Sequence, residues 1–348
     1  MIILGIETSC DETAAAIIQA TTKHERVTVL SNVSPSSMAL HAKTGGIIPE
    51  IAAREQSKTI IPVIKEALEQ AHLPAGNGKI PPIDAIAVTY GPGLIGSLLV
   101  GVETAKALSL AWNKPLIPVN HLFGHMYANW IQKETVEPPI TFPVLALIIS
   151  GGHTDLVLIR DHMDISWLGG TRDDASGEAL DKIGRLLKLP YPGGPAIEEK
   201  AQLGTNNQAY LFPRPLKYDG SFDFSFSGLK TAVLREVQKH EIRDEQFLAD
   251  ICKGTQDAII DVLLHKTLHA AKHYTVSSII IAGGVSANQT LRTVFETKIK
   301  EELPHVHFFA PEKHFSTDNG AMIATAAFYN DFYISRSELT ANPELYFD

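Results

Sequence analysis

Val144-Leu-Ala-Leu-Ile-Ile-Ser-Gly-Gly-His-Thr154 is an apolar run that breaks into a turn of glycines and hydroxyls. A continuous apolar stretch of this length bounded by turn residues reads as a buried strand. The same pattern opens the chain: residues 2–7 are apolar and lead into Thr8-Ser9-Cys10-Asp11-Glu12-Thr13. The stretches after the two runs are also alike. After the first come strand patterns at 14–19 and 26–33, then a helix over 49–71 with Ile60, Ile64 and Leu68 at spacing four. A strand at 83–90 comes next, then a helix with Leu94, Leu98, Val102, Ala105, Leu108 and Trp112 on one stripe, a strand at 116–119 and a short helix. After Thr154 come strands at 156–159 and 165–168, a helix over 174–187, and an irregular insertion at 190–228 rich in proline, glycine and aromatics. A long helix over 245–274, a strand at 278–282, a helix over 291–302, a strand at 306–309 and a helix over 318–332 complete the chain. The order strand-strand-strand-helix-strand-helix-strand-helix thus occurs twice. It predicts a duplicated α/β fold in two lobes, 1–142 and 143–348, with a ligand cleft between them.

Composition narrows the function classes. The 348 residues are 45% hydrophobic, enough for two domains, and the formal net charge is −9. No basic nucleic-acid groove is announced, so any RNA contact must rest on local charge or on a partner. Two cysteines, Cys10 and Cys252, rule out a disulfide framework and a cysteine zinc site. The N-terminus lacks a basic leader region and reads as a strand, and no apolar run suggests a membrane span, so a cytoplasmic protein is expected.

Two features carry chemistry. In Asn120-His121-Leu122-Phe123-Gly124-His125 the histidines sit one helical turn apart on one face. That spacing suits two imidazoles on one metal, and it equally suits a solvated or structural helix face. The second feature is the set of turns at strand ends: 8–12, Gly91 to Gly96, 150–154 and Gly283-Gly284. Free backbone N–H groups there favour anions, and the glycines equally allow close packing of helix on strand.

Gly5-Ile-Glu-Thr-Ser-Cys-Asp-Glu-Thr13, His121-x-x-x-His125, Ser150-Gly-Gly-His-Thr154, Tyr191-Pro-Gly-Gly-Pro195, Asp223-Phe-Ser-Phe-Ser-Gly-Leu-Lys230, Ala282-Gly-Gly-Val-Ser-Ala-Asn288 and Thr317-Asp-Asn-Gly-Ala321 together resemble the universal tRNA threonylcarbamoyltransferase family, once described as glycoproteases. The motifs run in the family's order over nearly the whole chain. The resemblance implies the actin/sugar-kinase/Hsp70-like fold. It implies transfer of threonylcarbamoyl from threonylcarbamoyl-adenylate to N6 of the adenosine just after the anticodon in tRNAs reading ANN codons, with release of AMP. It implies that Asp318 joins His121 and His125 as metal ligands, with Fe2+ the expected ion and Zn2+ the alternative. It further implies that Ile148, Ile149, Ser150, Gly151 and Gly152 line the adenylate, with Asp181, Gly194, Glu198 and Asn288 at nucleotide positions. Bacterial members work with a smaller homologous subunit and a small ATPase.

Other readings of the same residues are weaker. A zinc protease of the His-Glu-x-x-His type needs a glutamate as base, and Leu122 stands in that place. A small-molecule kinase would suit the turns at 8–13 and 150–154, with Asp181 as base, but kinases hold hydrated magnesium with carboxylates and phosphates. A nucleotide-switched chaperone-like module leaves the histidine pair unused. Asp11 and Glu12 are candidates for taking the proton from the attacking amine. Cys10 has no histidine beside it in sequence and reads as structural. Arg172, Arg214, Lys217, Lys230 and Arg235 are candidate phosphate contacts, and the helices around 49–71 and 94–112 are, by family analogy, docking surfaces for the homologous subunit.

Overall fold

The computed structural model describes residues 1–35, 48–73, 79–205, 210–239, 244–330 and 332–347. Two units emerge, Met1–Pro139 with Pro311–Asp348, and Ile140–Ala310. The first holds strands β1 (Ile2–Glu7), β2 (Ala14–Gln19), β3 (Thr28–Val33), β4 (Ala85–Gly91) and β5 (Leu116–Asn120). The second holds β6 (Val144–Ile149), β7 (Thr154–Asp161), β8 (Asp164–Gly170), β9 (Ser278–Ala282) and β10 (His307–Phe309). The sheet orders are β3-β2-β1-β4-β5 and β10-β9-β6-β7-β8. Taken from the other edge, the second is the first again. In each, the first three strands form an antiparallel meander, and the last two run parallel to the opening strand. The duplication legible in the order of elements is therefore a duplication of topology.

In the first unit the opening strand is apolar because both its faces are covered. Helix Pro49–Gln70 buries Ile60, Val63, Ile64, Ala67 and Leu68, and helix Ile95–Trp112 buries Leu98, Val102 and Ala105. Among the described residues, Ile95–Trp112 is long and apolar enough to cross a membrane, which the sequence pattern did not suggest. Its stripe is packed in the core of this unit, with Leu98, Val102 and Ala105 fully buried.

The final helix, Gly320–Asn330, covers the opposite face. It packs on β1, β2 and the short helix His121–Tyr127. Its small residues allow a close approach: a Cβ at Gly5 would collide with the Gly320 carbonyl oxygen, and a Cβ at Gly320 would lie 2.5 Å from the Ala16 nitrogen. Two glycines face each other where helix crosses strand, because no side chain fits there. This crossing corrects the expected boundary. Residues 311–348 do not belong with 143–310 but return to the first unit.

The second unit buries β6 completely, packs helix Glu245–Tyr274 on it, and also holds helices Ser176–Leu186, Gly193–Ala201, Ser227–Lys239 and Gln289–Glu302. Gly193–Ala201 lies inside the stretch expected to be irregular. It opens on Gly193-Gly194-Pro195, which reads as a turn, yet proline is tolerated in a first helical turn where N–H groups have no partner. Residues 206–209 of that stretch lie outside the described residues.

A candidate metal centre and a candidate nucleotide ring

The short helix His121–Tyr127 comes directly after β5. The Asn120 side chain caps it by accepting from the Leu122 N–H at 2.8 Å, while its amide donates to the Tyr346 carbonyl at 2.5 Å. The helix is buried on nearly all sides because Gly124 lets it lie against Ile323 and Met322 of the final helix. Both histidines are buried, with ring centres 4.6 Å apart and an angle of 76°.

Asp318 reaches them from the approach to the final helix. The residue that caps that helix is Asn319, whose side chain accepts from the Met322 N–H at 2.9 Å and donates to the Thr317 carbonyl at 2.7 Å. Asp318 is thereby left to face the imidazoles. Its Oδ1 lies 3.2 Å from His125 Nε2 and 3.6 Å from His121 Nε2. The three ligand atoms stand within 4.8 Å of one another. Donors roughly 2.1 Å from a shared ion stand about 3.0–3.4 Å apart, so the spacing fits a metal. His125 Nδ1 is buried without a hydrogen-bond partner. Such an atom costs about 1–3 kcal/mol, so this ring is not placed there for stability. All three candidate ligands belong to the first unit, and Asp318 is not contributed by the second lobe as expected.

Glu7 was missed by sequence reasoning. It ends β1, is fully buried, and accepts from the Ser9 N–H at 2.5 Å and from Thr89 Oγ1 at 2.6 Å. Its Oε2 also lies 3.0 Å from His121 Nδ1. Nδ1 donates to Glu7, which leaves Nε2 turned toward Asp318 and His125. An acid at the inner end of an apolar strand was the only signal in the sequence, and nothing linked it to His121. Replacing Glu7 with glutamine is expected to weaken metal binding about 10–100-fold. Competition against a chelator measures it, and unchanged affinity would show that Glu7 only seals the strand end.

Burial works against a charged His121, but the Glu7 and Asp318 carboxylates outweigh it and push its pKa up to about 9 in the metal-free chain. A metal must displace that proton. Affinity for a divalent ion should therefore rise about tenfold per pH unit from neutrality and level off above about 9. The metal-free fold behaves in the opposite sense. A raised pKa stabilises the fold below the ordinary histidine range, and this contribution is withdrawn as pH rises through about 9. Zinc titrations and melting curves of chelated protein at several pH values test both signs.

The turn 8–13 lies beside this centre. Gln56 holds it by donating to the carbonyls of Cys10 at 3.1 Å and Glu12 at 2.8 Å. The Cys10 thiol is pushed strongly up by burial and then by the Asp318 and Asp11 carboxylates. It stays protonated, which agrees with a structural role, and Asp11 shares its surroundings with Asp318. The glycines at 91–96 serve packing. Gly91 lies against the Asn342 carbonyl, Gly93 against the Ser9 carbonyl, and the Gly93 N–H donates to Pro343.

The second unit gathers the other predicted residues at the carboxyl ends of β6 and β9, which are parallel neighbours. Ile148 and Ile149 are buried strand residues, and Ser150 Oγ accepts from the Gly152 and His153 N–H groups at 3.3 and 3.1 Å. Nothing lies within 4 Å of a Cβ built on Gly151 or Gly152, so these glycines face open space. A Cβ built on Gly177 or Gly283 would instead lie 2.5 Å from the Ser150 or Ile149 carbonyl oxygen, respectively. Asp181 accepts from the Gly193 N–H at 2.7 Å. Burial pushes its carboxyl upward, and the Gly193 and Gly194 N–H groups and Arg185 pull against that. Glu198 accepts from the Gln289 N–H at 2.7 Å. Asn288 caps helix Gln289–Glu302 by accepting from the Leu291 N–H at 2.8 Å, and its amide donates to Gln256 at 2.9 Å. The predicted side chains are thus tied to helix starts, Asp181 to that of Gly193–Ala201, and Glu198 and Asn288 to that of Gln289–Glu302. Asp181, Glu198 and Asn288 each also have a structural bond that explains their presence without a ligand.

The topology defines a duplicated α/β protein of the actin/sugar-kinase/Hsp70-like class. The same fold occurs in a crystal structure of HypF from T. kodakarensis, with a TM-score of 0.61 at 14% identity over 97% of this chain. It occurs also in full-length HypF in a phosphate- and nucleotide-bound form, with a TM-score of 0.59 at 12% identity. This chain spans about half of those structures, 49% and 46%. A family model of tRNA N6-adenosine threonylcarbamoyltransferase matches residues 28–325. Proteins of that name are similar at 46% identity in Geobacillus kaustophilus (99% of this chain, 96% of the relative) and at 47% in Thermomicrobium roseum (94% and 92%). One from Staphylococcus epidermidis is 44% identical (94% and 91%). The chain belongs to the tRNA N6-adenosine threonylcarbamoyltransferase family.

Proposed function

We propose that this chain transfers threonylcarbamoyl from threonylcarbamoyl-adenylate to N6 of the adenosine just after the anticodon in tRNAs reading ANN codons, as a metal-dependent enzyme. Family membership at 43–47% identity over nearly the whole chain carries the reaction, and the clustered triad supports the metal. Two imidazoles and one carboxylate leave coordination positions open and suit Fe2+, with Zn2+ as the alternative occupant. When bound, the metal supplies a Lewis acid that neutralises charge on the donor.

The chemistry asks mainly for positioning. AMP is a good leaving group from the mixed anhydride, whereas the adenine amine is a poor nucleophile because its lone pair is delocalised. The N6–carbonyl bond forms, the carbonyl–oxygen bond to phosphate breaks with its electron pair leaving on AMP, and the amine gives up one proton. The residues' part is to hold the reactants and stabilise developing charge. The open turn Ser150-Gly151-Gly152 has the room for the adenylate. Asp181, Gly194, Glu198 and Asn288 are the further nucleotide contacts, and a carboxylate bonded to one or two N–H groups keeps lone pairs for ribose hydroxyls. Asp11 or Glu12 receives the proton. Leu122 is fully buried and cannot act as a protease base.

The enzyme works in the cytoplasm, where its RNA substrate is, together with a smaller homologous subunit and a small ATPase. Reconstitution tests the reaction: ANN-decoding tRNA, threonine, bicarbonate, ATP, the adenylate-forming enzyme and the partners, with and without this chain. Threonylcarbamoyl-adenosine should form only when the chain is present, and its formation without the chain would overturn the reading.

A further inference from the structure

Away from the glycine turn, the second unit carries a cavity of about 420 Å³ whose lining includes Lys217, Tyr218, His265, His269 and Lys272, with Glu302 as its one acid among the described residues. In a chain of net charge −9 this concentration of cationic and imidazole side chains stands out. Tyr218 is 79% exposed. Its ring meets the edge of His265 at 4.9 Å, and the Lys217 ammonium lies 5.0 Å from its centre. An exposed aromatic ring with an ammonium over one face is a platform on which a nucleobase stacks.

The charges do not all cancel. Arg214 and Lys217 share one carboxylate, Asp261, with contacts of 2.5 and 2.7 Å, so one positive charge remains. Lys266 is answered by Asp219 and Lys272 by Glu302. The pKa of His265 is pushed down, first by burial and then by Lys217 and His269, while Asp261 pulls against them. Gly220, with φ +81° and nothing within 4 Å of a built Cβ, keeps the rim open.

We propose that this cavity binds one phosphorylated nucleoside, with its base on Tyr218 and its phosphate among Lys217, His269 and Lys272. It lies outside the adenylate ring. At about 1.5 Å of rise per residue, His265 stands roughly 14 Å and Lys272 roughly 24 Å along the long helix from Gln256, which bonds Asn288. A nucleotide of the tRNA acceptor supplies this chemistry at such a distance, and so does a free nucleotide. The RNA source rests on the transferase reading above.

The test uses the full chain and unmodified ANN-decoding tRNA carrying 4-thiouridine. Tyr218→Ala and the pair Lys217→Gln/Lys272→Gln are compared with the parent at several salt concentrations, with melting temperature as the folding control. If RNA is the ligand, tRNA affinity falls about tenfold in either variant, and the double variant loses about one unit of salt slope. The photo-crosslink then maps to Tyr218 and is competed by unlabelled tRNA but not by a nucleoside monophosphate. Competition by the monophosphate, together with its weaker binding to Tyr218→Ala, assigns a free nucleotide. Folded variants that bind both ligands like the parent overturn the proposal. Failure of threonylcarbamoyl transfer in the reconstitution, with tRNA binding still dependent on Tyr218, would overturn the transferase reading alone.

Discussion

Replacing His125 with alanine is expected to leave a folded protein that has lost its metal and slowed threonylcarbamoyl transfer by at least about 1,000-fold. His125 is buried, its Nε2 lies 3.2 Å from Asp318, and its Nδ1 has no hydrogen-bond partner. Removing it takes one of three ligands and no other hydrogen bond at Nδ1. The cavity left costs some stability, but the short helix keeps its Asn120 cap and its Gly124 contact with Ile323. Metal analysis of anaerobically purified protein, beside a melting curve, reads both effects. A variant with parental metal content would remove His125 from the ligand set.

The second large effect is on folding. Gly320→Ala should destabilise the chain by about 3 kcal/mol. A Cβ there would lie 2.5–2.8 Å from backbone atoms of Ala15 and Ala16, and a strand inside a sheet cannot retreat. Gly124→Ala is the internal comparison. Its Cβ would approach the Ile323 Cδ1 at 2.6 Å, the end of a flexible side chain, so the loss should be smaller. Because Asp318 precedes the same helix, Gly320→Ala should also loosen metal binding. Denaturant titration of the chelated proteins separates the stability term from the metal. Equal midpoints for Gly320→Ala and the parent would mean that the helix does not need its close crossing over β2.

These contrasts show how far residue order alone reaches. β1, β2 and β6 stand where apolar runs and their turns put them, because a buried strand leaves an unbroken pattern. The repeated order of elements predicted two like sheets, and both have the same strand order. Order does not say which unit an element joins. Gly5 and Gly320 are remote in sequence, and their fit is visible only when helix lies on strand. For that reason residue order places the final segment with the second half, whereas it packs with the first. Glu7 was hidden because its partner His121 is also remote. The glycines at 91–96 left two readings open, and residues 342–343 closed one of them by filling the space. In the nucleotide ring the sequence named residue types suited to a ligand. The structure adds that Asp181, Glu198 and Asn288 each secure a helix start, so alanine variants there will mix structural and binding effects.

The proposed metal at His121, His125 and Asp318 is expected to serve the transfer itself. Single-turnover transfer from preformed threonylcarbamoyl-adenylate to ANN-decoding tRNA, with partners present, tests this most directly when chelated and iron(II)-restored chain are compared. Transfer should be lost on chelation and recovered with iron(II). Transfer at the parental rate by metal-free protein would contradict the assignment.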